Sequence, residues 1–356
     1  MDRQVASGLR PSIQVAVDWR GELVFDEACG EGVSPDSCYL LWSSTKPFVA
    51  VALLQQIEEG RADLDDRIAK HIPEFARGGK ESATIAHVLT HRGGFPGFGP
   101  AQRRELFGML RDYDEALRFV FELEASWEPG TARGYHPFTG WLILAELIQR
   151  LDGRPLAEVL RERVLHPAGI ADDAFSLGEP GRLSQPPMRI TTREERAAPP
   201  AAEASFWNDP RTHAALIPGA GGISRARDVI KLYRALLDAG RGPAGRILSA
   251  QMVRCATFPH VVGMIDRTFL RDIPWALGFH LKHVRPALDD CGRSATPGTF
   301  GHGGHFLVNT AWADPGKDLA VCILANGLTE PRVGVRAVSA LSQAIHDEVD
   351  RERGTA

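Results

Sequence analysis

What the sequence lacks narrows its class before any motif is read. No stretch reaches the roughly 18 apolar residues of a membrane-spanning helix, and Met1-Asp2-Arg3-Gln4 opens without the apolar run of a secretory signal. Basic excess is missing too: 41 Lys and Arg stand against 45 Asp and Glu, a formal net charge of −4. That removes the electrostatic footprint of binding to nucleic acid or an anionic membrane. The five cysteines, Cys29, Cys38, Cys255, Cys291 and Cys322, are odd in number and lack C-x-x-C spacing, so reduced thiols are expected rather than disulfides or a zinc site. No internal repeat and no G-x-S-x-G is present, which excludes an α/β-hydrolase. The expectation is a cytoplasmic globular protein, without metal or cofactor. With 44% apolar and 24% charged residues, 356 residues can bury a large core, as one domain or two intimately joined ones.

Lysine is scarce as well, six in the chain, and one of them stands in the most informative stretch, Leu41-Trp42-Ser43-Ser44-Thr45-Lys46-Pro47-Phe48. The residues that follow, Phe48 to Ile57, are apolar nearly all round a helical period, and Gly60 follows the run. A buried helix is predicted. Pro47 is tolerated only in its first turn, so the helix starts at about Ser43 to Ser44, with Ser43 and Lys46 on one face. A lysine on so apolar an element is favoured when unprotonated, and a neutral lysine beside a hydroxyl is a general base for a nucleophile. The helix N-terminus adds N–H donors for a developing oxyanion. The alternative is a Ser43 that caps the helix and a Lys46 that snorkels to water; S-x-x-K alone does not decide between them.

The rest of the chain reads in order. Ile13–Val17 and Glu22–Phe25 predict a hairpin that turns at Asp18–Gly21. A helix over Thr84–His91 would place His87 and His91 one turn apart, which is zinc-like spacing without the glutamate of H-E-x-x-H. Helices are expected over 102–123 and 138–152, separated by a turn-rich loop that presents Tyr135, one of four tyrosines. The Pro-, Ala- and Gly-rich stretch 191–222 is too long for an idle connector, so its Trp207 is a candidate site-lining residue. A helix over Ile223–Leu237 with Ser224 as cap follows, then strands Phe306–Trp312 and Leu319–Gly327, and a last helix from Val333 to Val349. Before the strands, His302-Gly303-Gly304-His305 offers glycines that let backbone approach a bound carbonyl.

Taken together, Ser43-x-x-Lys46, Ile85-x-His87-Val88-Leu89-Thr90-His91-x-Gly93-Gly94, Tyr135 after Pro129-Gly130-Thr131, Pro167-Ala168-Gly169-Ile170 and His302-Gly303-Gly304 resemble the serine β-lactamase and penicillin-binding-protein superfamily over nearly the whole chain. The branch most similar is the class C-like one that holds carboxylesterases, D-amino-acid peptidases and acyltransferases. The resemblance implies an α+β fold of the β-lactamase/transpeptidase type. Its antiparallel sheet is flanked by helices and built from residues 1–75 and 215–356, with a mostly helical region, 76–214, inserted and the site between. It further implies Ser43 as acylated nucleophile, Lys46 as its base, Tyr135 as proton shuttle and the backbone N–H groups of Ser43 and His305 as oxyanion hole. His302, Gly303 and Gly304 would line the substrate.

Two departures bear on substrate. The family's Y-x-N reads Tyr135-His136-Pro137, and its K-T-G-like box reads His302-Gly303-Gly304. The amide that would orient an acylamide and the lysine that would hold a β-lactam carboxylate are both missing, and an ester needs neither. The expected activity is hydrolysis of small carboxylic esters through an acyl-enzyme. Acyl transfer, amide, D-peptide or β-lactam hydrolysis, and a non-catalytic binding module are the alternatives. Protonation of His302 near pH 6 would aid lactam binding.

Overall fold

A computed structural model of the chain describes residues 1–97, 100–180, 183–184, 201–282 and 290–355. The alternating Ile13, Val15 and Val17 form β1 (Ser12–Trp19), which turns into β2 (Glu22–Gly30) through Arg20 and Gly21, both at positive φ. Four strands from the C-terminal part join them: β3 (His280–Leu281), β4 (Phe300–Gly303), β5 (Thr310–Asp314) and β6 (Leu319–Ala325). All six form one antiparallel sheet in the order β3-β4-β5-β6-β1-β2. The ends of the chain therefore meet, with Ile13 opposite Ala325 and Trp19 opposite Leu319. The strand expected from Phe306 starts at Thr310, because His305–Leu307 make a 3₁₀ turn and Leu307 sits at φ 53°.

Eight helices position the site: α1 (Lys46–Glu58), α2 (Ile85–Leu89), α3 (Pro100–Met109), α4 (Tyr113–Glu122), α5 (Thr139–Asp152), α6 (Ala201–Asn208), α7 (Ala226–Leu237) and α8 (Pro331–Thr355). They cover both sheet faces. Phe300 and Trp312 stand on adjacent strands at positions of opposite parity, since Phe300 pairs with Ala313 and Trp312 with Gly301. Tyr233 of α7 meets Phe300 at 6.2 Å between ring centroids, and His346 of α8 stacks on Trp312 at 5.0 Å. Covered on both sides, β1 and β6 are buried along almost their whole length. The buried polar Gln14 is satisfied by Ser34, Pro35 and Ser37 carbonyls through Nε2, and by the Ala226 N–H at the start of α7 through Oε1.

From Lys46 to Gln56 every residue of α1 is buried, and its main neighbour is α5, itself buried from Thr139 to Ala145. Several expected elements differ. The single helix over 102–123 is two, because Asp112 leaves the helical region and caps α4 by accepting the Glu115 N–H. Within 191–222, residues 191–200 lie outside the described residues, and α6 and a short helix Pro210–His213, capped by Asp209, occupy much of the rest. Ser224 is not a helix cap but part of a short strand, its hydroxyl on the Ala174 carbonyl. Among the described residues no helix is long and apolar enough to cross a membrane.

Candidate active site

The three consecutive hydroxyls before Lys46 have separate tasks. A 3₁₀ turn, Trp42–Thr45, leads into α1 with Pro47 in its first turn, as the missing N–H of proline allows. Ser44 Oγ donates to the His302 carbonyl at 2.8 Å, and Thr45 Oγ1 accepts the Gly222 N–H at 3.0 Å, so both tie the turn to neighbouring segments. Asn309 adds a further tie through Nδ2 to the Leu40 carbonyl, 3.0 Å. Ser43 makes no such tie. Its Oγ is half-buried and lies 2.9 Å from Lys46 Nζ and 2.8 Å from the Tyr135 hydroxyl.

Lys46 is fully buried, and its other two partners are backbone carbonyls, Pro137 at 2.9 Å and Gly219 at 2.6 Å. All three partners are uncharged, and burial pushes its pKa well below the usual lysine range. With no charged partner, burial favours the neutral amine; in that form two N–H bonds go to the carbonyls and the lone pair is left for the Ser43 O–H. The Tyr135 and Trp141 rings enclose the amine at 5.3 and 5.4 Å. Burial raises the Tyr135 pKa, more than its bond to Ser43 lowers it, so the phenol keeps its proton and donates to Ser43 Oγ.

Gly219, which begins Gly219-Ala220-Gly221-Gly222, was not singled out from the sequence because its contribution is a backbone oxygen. A Cβ there would stand 2.4 Å from the Pro137 carbonyl oxygen and 3.3 Å from Lys46 Nζ. The position where relatives of the Y-x-N type would carry asparagine thus supplies a main-chain carbonyl instead. Arg133 was also missed. Its buried guanidinium donates to the Met264 and Ile273 carbonyls and to Asp272, which fixes the 264–273 hairpin against the Tyr135 loop.

The His302–His305 segment lies beside the Ser43 turn. Trp42, held at φ 50° at a cost of about 1–2 kcal/mol, stacks on the His305 ring at 4.8 Å. A Cβ on Gly304 would fall 1.8 Å from Asn309 Oδ1 and 3.0 Å from the Trp42 Cβ. This internal contact by itself calls for a glycine at position 304. At Gly303 a Cβ would first meet the end of the Leu307 side chain, which can move aside.

Two further expectations change. Trp207 is fully buried in α6 behind Trp42, 4.7 Å between rings, so it supports the turn before Ser43 and does not line a substrate surface. The His302 ring is 3% exposed and stacked on His280, with Nδ1 donating to the Gly303 carbonyl. Burial holds its pKa well below the ordinary histidine value. That direction runs against the protonation which stronger lactam binding near pH 6 would need. His87 accepts the Thr84 N–H in a capping box, and His91 lies past the end of α2 at φ 61°, so the two do not share a helix face.

An antiparallel sheet covered by helices on both faces, with a serine and a lysine at the start of a buried helix, is the β-lactamase/transpeptidase-like fold. The chain belongs to the β-lactamase family, whose sequence profile matches residues 1–344. It is 28% identical to the esterase EstB of Burkholderia gladioli over 92% of this chain and 86% of that one. It is 25% identical to the esterase/β-lactamase LipL of Mycobacterium tuberculosis (strain ATCC 25618 / H37Rv), over 90% of this chain and 76% of LipL. Among solved structures it is similar to a family VIII carboxylesterase, with TM-score 0.77, 25% identity, and 96% and 95% of the two chains covered.

Proposed function

We propose that the protein is a serine hydrolase that cleaves small carboxylic esters through an acyl-enzyme on Ser43. The observation that carries this reading is the placing of Ser43 Oγ between the buried Lys46 amine and the Tyr135 phenol, 2.9 and 2.8 Å away. Lys46 Nζ takes the Ser43 proton as Oγ bonds to the ester carbonyl carbon. The oxyanion is held by the Ser43 and His305 backbone N–H groups. As the bond to the alcohol oxygen breaks, Tyr135 O–H protonates the departing alkoxide and is itself reprotonated from Lys46. Water then attacks the acyl carbon, gives its proton to the same pair, and Ser43 Oγ leaves with the proton returned by Lys46. The products are a carboxylic acid and an alcohol. We also propose that the catalytic groups meet at a junction, with Ser43, Lys46 and His305 from the region 1–75 and 215–356 and Tyr135 from 76–214.

Pro137 offers no side-chain amide, and a neutral, buried His302 offers no charge to a lactam carboxylate. Acyl recognition is left to shape and apolar contact, so short-chain activated esters should exceed a chromogenic cephalosporin in kcat/KM by roughly 10²-fold or more on one preparation. A cephalosporin value at or above that of a butyrate ester would replace the esterase reading with a β-lactamase.

Tyr135→Phe tests the proton route. It should lower kcat by about 10²- to 10⁴-fold, the range for a positioned acid or base, with the melting temperature almost unchanged. A Phe variant at wild-type rate would leave proton transfer to Lys46 alone.

A further inference from the structure

His91 takes no part in the chemistry just described, yet it grips the chain on both sides of Tyr135. Its carbonyl accepts the Gly134 N–H at 3.1 Å, and its ring Nδ1 accepts the His136 N–H, also at 3.1 Å. One residue thus holds the backbone immediately before and after the tyrosine. The ring also lies 4.6 Å from the Tyr135 ring and 4.4 Å, edge-on, from Trp275, so the aromatic face that orients the phenol is continuous with the clamp. Both bonds depend on the left-handed conformation at φ 61° that turns His91 off the end of α2. Strain of this kind persists only where the surroundings fix it, and here Thr90 and the residues before it are anchored in α2.

We propose that His91 is a positioning residue that sets the Tyr135 hydroxyl on Ser43 Oγ through its ring acceptor. The proposal rests on the proton-shuttle reading of Tyr135. Acceptance at Nδ1 places the ring proton on Nε2 and requires a neutral imidazole. A charged ring would turn an N–H toward the His136 N–H and break the clamp. Burial above all, with the Arg133 guanidinium nearby, holds the His91 pKa well below the ordinary value and so favours the neutral ring. The acceptor, not the bulk, is therefore the functional feature, and acceptor and bulk can be separated. Asparagine presents Oδ1 near the place of Nδ1 and tolerates positive φ, but lacks the ring. Phenylalanine keeps the ring and lacks the acceptor, and glutamine carries its amide one bond too far to reach the His136 N–H.

The experiment is ester kinetics on His91→Phe, His91→Asn and His91→Gln, alone and combined with Tyr135→Phe, with melting temperatures for each. His91→Phe and His91→Gln should lower kcat by about 10- to 100-fold with KM within about twofold, as expected when a reacting group is displaced by a fraction of an ångström. His91→Asn should recover most of kcat even though it loses ring packing and melts lower. In the Tyr135→Phe background His91→Phe should cost almost nothing more, because the hydroxyl it positions is gone. Two results overturn the proposal: His91→Phe at wild-type kcat, or an equal loss of kcat in both backgrounds. If His91→Phe does not fold, His91→Gln and His91→Asn carry the same comparison, and Gln equal to Asn overturns it. A Tyr135→Phe enzyme at full rate would instead mark failure of the proton-shuttle reading itself.

Discussion

Ser43→Ala should abolish ester turnover, lowering kcat by about 10⁴-fold or more, the scale seen when a covalent nucleophile is removed, while the protein still folds. The structural ties of this turn run through Ser44 to the His302 carbonyl and through Thr45 to the Gly222 N–H, and Ser43 contributes to neither. No side-chain cap is lost from α1 either, because none is present. Deleting the hydroxyl leaves Lys46 with two carbonyl partners and Tyr135 O–H with access to the half-buried site, so the melting temperature should move by only a few degrees. A fluorophosphonate should add one phosphonyl group to the wild-type chain, located to Ser43 by peptide mass spectrometry, and none to the variant. Label on Ser44, or an active Ser43→Ala enzyme, would sink the assignment.

The parts of the molecule that were legible in the sequence are those in which local pattern and tertiary packing agree. Alternating Ile13, Val15 and Val17 predict a strand and give one, and the unbroken apolar run after Lys46 predicts a helix buried on every side. Where one polar residue decides an element, the wider pattern misleads. Asp112 interrupts the helical periodicity of 102–123 by preferring its cap, and Asp209 with Pro210 starts a short helix inside a stretch whose composition reads as loop. In the site, Ser43 and Lys46 are legible because their relation is local, three residues apart. Tyr135 is brought to them from 92 residues away; the turn-rich loop marks it as presented, and only the resemblance to a family implies its role beside Ser43. Gly219 was hidden for a different reason. Its carbonyl is what Lys46 uses, and a main-chain oxygen leaves no mark on residue identity beyond the requirement for glycine. For Trp207 the length of the Pro-, Ala- and Gly-rich stretch around it suggests a lining, whereas burying so large an apolar surface behind Trp42 is the stronger tendency. His91 was judged by helical spacing, and a single positive φ removes it from the helix.

Lys46→Arg should be nearly inactive although it keeps a positive charge, with kcat/KM lower by about 10³-fold or more. Guanidinium does not lose its proton in a protein, so it has no lone pair to offer the Ser43 hydroxyl. The pocket also fits an amine and little else: Nζ is fixed by the Pro137 and Gly219 carbonyls, and the Tyr135 and Trp141 rings close its sides. Lys46→Met, uncharged and similar in length, keeps the apolar packing and should fold, which separates loss of the base from loss of the structure. The pH dependence has a definite sign. Burial lowers the pKa of Lys46, the active form is the neutral amine, and the neutral fraction grows as pH rises, so kcat/KM should climb through the Lys46 pKa and level off above it. Any residual activity in Lys46→Met should lack that acid limb, because the group that titrates there has been removed. A wild-type rate in Lys46→Arg would make the lysine a structural residue. An unchanged acid limb in Lys46→Met would assign the titration to another group, and the proton would then have to leave Ser43 by way of Tyr135.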